Sequence, residues 1–183
     1  RRGGEPRWWE DVEVGDIGQQ RLRDEVGSVC GEQPPGIADV AQLHWTSAVL
    51  DEVLRLYPPA WLVTRRSLEP DVLGGVEVPA GALVIVSPWI VHRDPRAWPD
   101  PERFDPSRFL DADGARRRDV VASASYLPFG AGPRLCIGRD MAMLEGVLVL
   151  ASLATKVDLV SAGPLPRAVP LVTVRPAHGL PLR

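Results

Sequence analysis

The sequence predicts a helix-rich α+β fold of two substantial helices, several short ones and small β-hairpins. Three observations carry this. Thr46 to Leu56 and Arg139 to Ala154 repeat apolar residues at helical spacing. Asp71-Val72-Leu73-Gly74-Gly75-Val76-Glu77-Val78-Pro79 reads as strand, tight turn, strand. With 19 prolines and 17 glycines in 183 residues, much of the chain must be turns and short connections.

In chain order, residues 1–18 are rich in Arg, Gly, Trp and acid without periodicity and receive no assignment, nor does Trp8-Trp9 receive a role. Residues 19–183 read as part of one domain. Gln19 to Val29 predicts a short helix with Leu22 and Val26 at i, i+4, broken by Pro34-Pro35, and Ile37 to Leu43 predicts another. In the Thr46 to Leu56 helix, Val49, Leu50, Val53, Leu54 and Tyr57 form an apolar stripe, with Glu52 and Arg55 on another face. Pro58-Pro59 stops it. Ala60 to Thr64 and Leu83 to Val86 predict strands around the hairpin, and Pro88 to His92 a helical turn. Arg93 to Phe109, with Pro95, Pro99, Pro101 and Pro106, predicts a rigid irregular loop. Asp111 to Ser125 predicts a polar, mobile stretch whose arginines 116–118 form a solvated face. In the last helix Leu144, Val147, Leu148 and Ala151 form the buried stripe, and Val157 to Val160 and Leu171 to Val174 predict terminal strands.

A net charge of −3 does not suit a nucleic-acid binder. No apolar run approaches the ~20 residues of a membrane span. No leader is visible, and Cys30 and Cys136 do not make a disulfide framework. The expectation is a soluble, cytoplasmic, bacterial protein. The chain begins at Arg1 rather than Met, which points to a fragment or a processed product. An anchor on a longer parent would lie outside these residues.

The most informative stretch is Phe129-Gly130-Ala131-Gly132-Pro133-Arg134-Leu135-Cys136-Ile137-Gly138. A cysteine sits between glycines, two residues after an arginine, with a helix following. Gly132 and Gly138 lack a Cβ, so the backbone can approach a flat ring or take positive φ. Arg134 keeps its charge and forks towards carboxylates. The start of the following helix favours a thiolate at Cys136. Five fixed types at about one in twenty each coincide by chance on the order of once per million windows.

This pattern resembles the cysteine loop of the cytochrome P-450 family, Phe-x-x-Gly-x-Arg-x-Cys-x-Gly. The resemblance extends over most of the chain, from about Gln19 to Arg183, and corresponds to the C-terminal half of that fold. It implies haem b (iron protoporphyrin IX) as cofactor and Cys136 as axial ligand to its iron, with Phe129, Gly130, Arg134, Gly138 and Arg65 around the macrocycle. It also implies a buried, structural ionic triad of Glu52, Arg55 and Arg108, the last from Phe104-Asp105-Pro106-Ser107-Arg108-Phe109. Arg103, in Pro101 to Phe104, is the rival third member. Ala60, Trp61, Leu62 and Val63 would line the substrate side. His92 matches a family stretch as a packing or capping residue and not as a ligand.

The activity implied is monooxygenation of a small organic substrate, with electrons from a ferredoxin or a flavoprotein reductase. Arginines 116–118 are an alternative docking face for that donor. The family's acid–Thr helix motif is absent from these residues, so the fragment alone is expected to be inactive. A haem-binding module without turnover and a truncated remnant are the competing readings. A zinc site is a distant one, because no second Cys or His stands at ligand spacing to Cys136.

Overall fold

The computed structural model describes residues 13–164 and 166–182; residues 1–12, including Trp8-Trp9, lie outside the described set. Helix α1 spans Glu13–Cys30, longer at its start than expected. Leu22 and Val26 are buried, and Gly31 (φ +60°) ends the helix in the left-handed region that glycine takes without strain. The expected helix over Ile37 to Leu43 is instead a run of turns. Its bonds are Asp39 N to Gly36 O, Gln42 N to Asp39 O and Leu43 N to Val40 O. The Asp39 carboxylate also takes the Gly36 N–H at 2.8 Å. Seven residues that follow two prolines are too few to offset helix nucleation.

Helix α2 spans His44–Leu56. Glu25 of α1 caps it across the helix–helix contact, accepting from Trp45 N at 2.6 Å, Thr46 N at 2.8 Å and Thr46 Oγ1 at 2.7 Å. Its apolar stripe is only partly covered. Thr46, Ser47, Ala48, Asp51, Glu52, Arg55 and Leu56 are buried, while Val53 is exposed and Val49, Leu50, Leu54 and Tyr57 are half-buried. The polar face points inwards because the downstream loop supplies its hydrogen-bond partners.

Strand β1, Val63–Arg66, begins three residues later than expected and leaves Ala60 to Leu62 in the connection after the prolines. The hairpin is β2, Asp71–Leu73, and β3, Val76–Val78; Gly74 (φ +58°) and Gly75 (φ +84°) make the left-handed two-residue turn that it needs. Strand β4, Leu83–Val86, pairs antiparallel with β1 in the register Val63↔Val86 to Arg66↔Leu83.

Helix α3, Pro88–Val91, opens the proline-rich loop. That loop closes on a 3₁₀ turn, Pro106–Phe109, where Asp105 accepts from Ser107 N. The stretch Asp111 to Ser125 holds a one-turn helix, α4, Arg118–Val121. A 3₁₀ turn at Gly132–Arg134 precedes α5, Arg139–Lys156. In α5, Val147, Ala151 and Ala154 are buried, while Leu144 and Leu148 are half-buried.

The terminal strands differ from expectation. Val157 to Val160 is not a strand, because α1 side chains take its backbone: Gln19 Oε1 accepts from Leu159 N at 2.9 Å and Arg23 donates to Val157 O at 3.1 Å. The last hairpin is β5, Ala168–Pro170, with β6, Val174–Pro176; Leu171 to Thr173 form its turn rather than a strand.

Two apolar clusters flank α2. Val26, Leu43, Val147 and Ala151 join α1 and α5, with Leu50 packed against them. Ala48, Trp98, Phe109 and Tyr126 join α2 to the loop. Gly146 lets α5 approach α2 closely, since a Cβ there would lie 2.7 Å from Leu50 Cδ2. The hairpins bury little; Val72, Val76, Leu83 and Ile85 are exposed. Among the described residues no helix is long and apolar enough to cross a membrane.

Candidate functional site

The loop from Leu127 to Gly138 is held by its own backbone. Gly130 N donates to Leu127 O at 3.1 Å, Cys136 N to Phe129 O at 3.0 Å and Leu135 N to Gly132 O at 3.0 Å. Gly130 (φ +76°) and Gly132 (φ +67°) are left-handed, so these positions require glycine. Gly138 (φ −85°) is the N-cap of α5, and a Cβ there would stand 3.9 Å from Cys136 Sγ. The sequence between Phe129 and Cys136 therefore folds back on itself, with Cys136 exposed where the loop closes.

Cys136 is exposed and free, and so is not bridged to the half-buried Cys30. Beside it Leu135, Ile137 and Met141 are exposed apolar side chains, Ile137 completely so, and Arg134 is exposed too. A cavity of about 790 Å³ lies between α2, α5 and the inner side of this loop, lined by His44, Asp51, Arg116, Phe129, Leu135 and Arg139. Cys136 does not line this cavity and is open to solvent.

Glu52 and Arg55 are fully buried. Arg55 Nε donates to Glu52 Oε2 at 2.6 Å and Nη2 to Oε1 at 2.8 Å. The remaining Arg55 donors go to His92 O at 2.9 Å, Pro101 O at 2.7 Å and Arg103 O at 3.0 Å, which satisfies the guanidinium. Burial pushes the Glu52 carboxyl up, opposed by Arg55 and by the Asp105 N–H at 2.8 Å. Arg108 Nε lies 3.6 Å from Glu52 Oε1, an ion pair too long for a hydrogen bond, and this buried Nε has no hydrogen-bond partner. Arg108 Nη2 donates to Asp100 O at 3.0 Å. Of the two rivals for this place, Arg108 brings its guanidinium to Glu52, whereas Arg103 meets the pair through its carbonyl.

Sequence reasoning missed the polar group behind the loop. Asp51 is buried and accepts from Arg116 Nε at 2.9 Å, Arg116 Nη2 at 2.5 Å and Tyr126 Oη at 2.9 Å. Burial raises Asp51, opposed by Arg116 and Tyr126, and raises Tyr126 strongly. The solvated arginine face is thus corrected at one position: Arg116 anchors to Asp51, whereas Arg117, in a surface pair with Asp119 at 2.6 Å, and Arg118 are exposed as expected. The signal for Arg116 was not in the sequence, because an arginine run looks alike whether or not a buried carboxylate waits opposite.

His92 is fully buried, stacked on Tyr126 at 5.4 Å between ring centroids, and lowered to about 4, chiefly by burial.

Arg65 lies exposed on β1 and donates to Thr64 O at 2.8 Å. Ala60 is exposed and Trp61, Leu62 and Val63 are half-buried; Trp61 Nε1 donates to Leu171 O at 2.9 Å. Among the described residues no hydrogen bond or ion pair joins Arg65 or residues 60–63 to the Cys136 loop. The structure brings together Phe129, Gly130, Arg134, Cys136 and Gly138 in one loop, and Glu52, Arg55 and Arg108 in one buried cluster behind it.

The donor set around Cys136 fits one macrocycle-bound metal. A single soft sulfur, open to solvent beside apolar side chains and near arginines, suits iron that already has four equatorial ligands. Among the described residues no three His, Cys, Asp or Glu side chains gather as a self-sufficient metal site would require.

Fold and loop together define a helix-rich α+β chain that presents a free cysteine on a glycine-turned loop. The family model described as Cytochrome P450 matches residues 18–159, and the chain belongs to the cytochrome P450 family. Cyclooctatin synthase of Streptomyces melanosporofaciens is 42% identical over 155 residues, which cover 85% of this chain and 31% of that protein. Cytochrome P450 714C3 of Oryza sativa subsp. japonica is 40% identical over 168 residues, covering 90% and 32%. The crystal structure of CYP175A1 from Thermus thermophillus superposes with a TM-score of 0.74 at 35% identity, covering 96% of this chain and 40% of that one. The expected helix-rich α+β class and its likeness to part of this fold therefore hold. The chain spans about a third of the length of the curated relatives it matches.

Proposed function

We propose that residues 19–183 are the C-terminal, haem-holding part of a single monooxygenase domain, with Cys136 as the thiolate ligand of haem b. The observation that carries this is the placement of Cys136: free and exposed on a glycine-turned loop beside apolar side chains. When bound, the haem supplies the activation of O2 from which one oxygen atom enters an organic substrate. This chain's residues bind and orient. Phe129, Gly130 and Gly138 shape the loop against the ring. Arg134 and Arg65 offer guanidinium groups to its carboxylates. Glu52, Arg55 and Arg108 hold the scaffold behind the loop, and Ala60, Trp61, Leu62 and Val63 contribute to the substrate side.

A small organic substrate and an electron-donor protein, a ferredoxin or a flavoprotein reductase, complete the reading. Cyclooctat-9-en-7-ol 5-monooxygenase of Streptomyces melanosporofaciens, 39% identical over 138 residues, supports the reaction class. A reducing, cytoplasmic setting keeps both thiols free. The 183 residues contain no Ala/Gly-Gly-x-Asp/Glu-Thr motif, so by themselves they deliver no proton to the far side of the ring.

Haemin titration of the chain, followed by the electron paramagnetic resonance of the ferric complex, tests this. A thiolate-ligated low-spin signal that Cys136→Ala removes is expected. The same signal in Cys136→Ala would contradict the assignment.

A further inference from the structure

We infer that His92 is a positioning residue for the Cys136 loop, fixing its base to helix α2 through the Leu127 amide. Leu127 N–H, which can only donate, lies 2.7 Å from His92 Nε2. Nε2 is therefore unprotonated and Nδ1 carries the proton, which it donates to Arg55 O at 3.0 Å. Arg55 returns a bond from Nη1 to His92 O at 2.9 Å, so ring and backbone of His92 are both pinned to α2.

From Leu127 the bonding continues, through the covalent backbone, into the loop. Leu127 O accepts from Gly130 N at 3.1 Å, and Phe129 O accepts from Cys136 N at 3.0 Å. The imidazole thus stands at the head of a chain of bonds that ends on the amide of the sulfur-bearing residue. Its plane is held by stacking on Tyr126, whose hydroxyl is fixed in turn by Asp51. No other side chain among the described residues hydrogen-bonds the backbone between Leu127 and Cys136. A buried ring with both nitrogens committed, one to the rigid helix and one to the loop, does more than fill space. The proposal rests on the haem-thiolate reading only for what the loop is for; the bonding itself is independent of haem.

Amide hydrogen exchange of the ¹⁵N-labelled chain, residue by residue, tests it with two variants. His92→Phe keeps a ring against Tyr126 but offers no acceptor, whereas the carboxamide oxygen of His92→Gln can take the Leu127 N–H. Loss of one buried acceptor should speed exchange at Leu127 and Cys136 about tenfold in His92→Phe, with Val147 in α5 unchanged. His92→Gln should recover most of that protection. Unchanged exchange at Leu127 in His92→Phe, or a His92→Gln variant as fast as His92→Phe, would overturn the proposal. If His92→Phe fails to fold, the wild-type chain decides through the ¹⁵N–¹⁵N coupling across the Leu127 N–H···Nε2 bond. Its presence supports the proposal and its absence overturns it. Haemin titration of the same samples separates the two readings: loss of thiolate ligation with the exchange pattern intact sinks the haem assignment alone.

Discussion

Glu52 and Arg55 meet in a two-point ion pair with neither side chain open to water, Nε to Oε2 at 2.6 Å and Nη2 to Oε1 at 2.8 Å. The pair is one turn of α2, yet it fastens the helix to the proline-rich loop. Arg55 reaches the carbonyls of His92, Pro101 and Arg103, and Glu52 takes the Asp105 amide.

Removing one partner leaves the other charge buried and uncompensated. Glu52→Ala should therefore lower unfolding free energy by about 3–5 kcal/mol in urea denaturation. A loss under about 1 kcal/mol would mean that the loop carbonyls alone suffice for Arg55.

Tyr126 Oη donates to Asp51 O at 3.0 Å and Oδ1 at 2.9 Å, while Arg116 remains on Asp51 Oδ2. Tyr126→Phe removes one donor and keeps the ring, so it should cost about 1 kcal/mol. Asp51→Ala strands both Arg116 and Tyr126 and should cost distinctly more, about 2–5 kcal/mol. Equal losses in the two variants would show that Arg116 contributes nothing to the anchor.

The polar face of α2 shows where periodicity stops. Val49, Leu50, Val53 and Leu54 have helical spacing, but Val53 is exposed and Asp51 is inside, beside the Glu52 and Arg55 that the family resemblance expects to be buried. Periodicity sees only one helix, whereas the partners that make charge burial tolerable come from residues 92–126, far along the chain. The same limit hid Arg116. By contrast, the Gly74-Gly75 turn and the Cys136 loop were legible, because positive φ at Gly74, Gly75, Gly130 and Gly132 is a local demand that the residue type itself answers. Val157 to Val160 and Leu171 to Val174 look like strands by composition, yet pairing decides strands. The first is bonded by Gln19 and Arg23, and the second turns the corner between β5 and β6.

His92 has its proton affinity lowered to about 4 in the fold, against an ordinary 6.5, chiefly by burial. Arg55 from α2 and the neighbouring Arg93 lower it further, and the hydrogen bond to the Arg55 carbonyl opposes them. A depressed value means that the unfolded chain binds the proton first as pH falls. The stability that neutral His92 contributes is thus intact above pH 6.5 and is lost between about 6.5 and 4, on the order of 3 kcal/mol in all. Urea unfolding across this range should show that decline in the wild type and not in His92→Gln. Parallel curves would contradict the neutral, buried imidazole.

Gly146 faces Leu50 so closely that a Cβ would stand 2.7 Å from Cδ2. Gly146→Val should overpack the α2–α5 contact and cost about 1–3 kcal/mol by thermal or urea unfolding. A neutral result would show that Leu50 can swing aside without loss.

Ligation of haem iron by the sulfur of Cys136 is the proposal on which the functional reading depends. The most direct measurement is the absorption spectrum of the reduced, CO-bound, haem-loaded chain, recorded for wild type, Cys136→Ala and Cys30→Ala. The account expects the red-shifted thiolate band in wild type and in Cys30→Ala, and its loss in Cys136→Ala. Persistence of that band in Cys136→Ala, or its loss in Cys30→Ala instead, would contradict it.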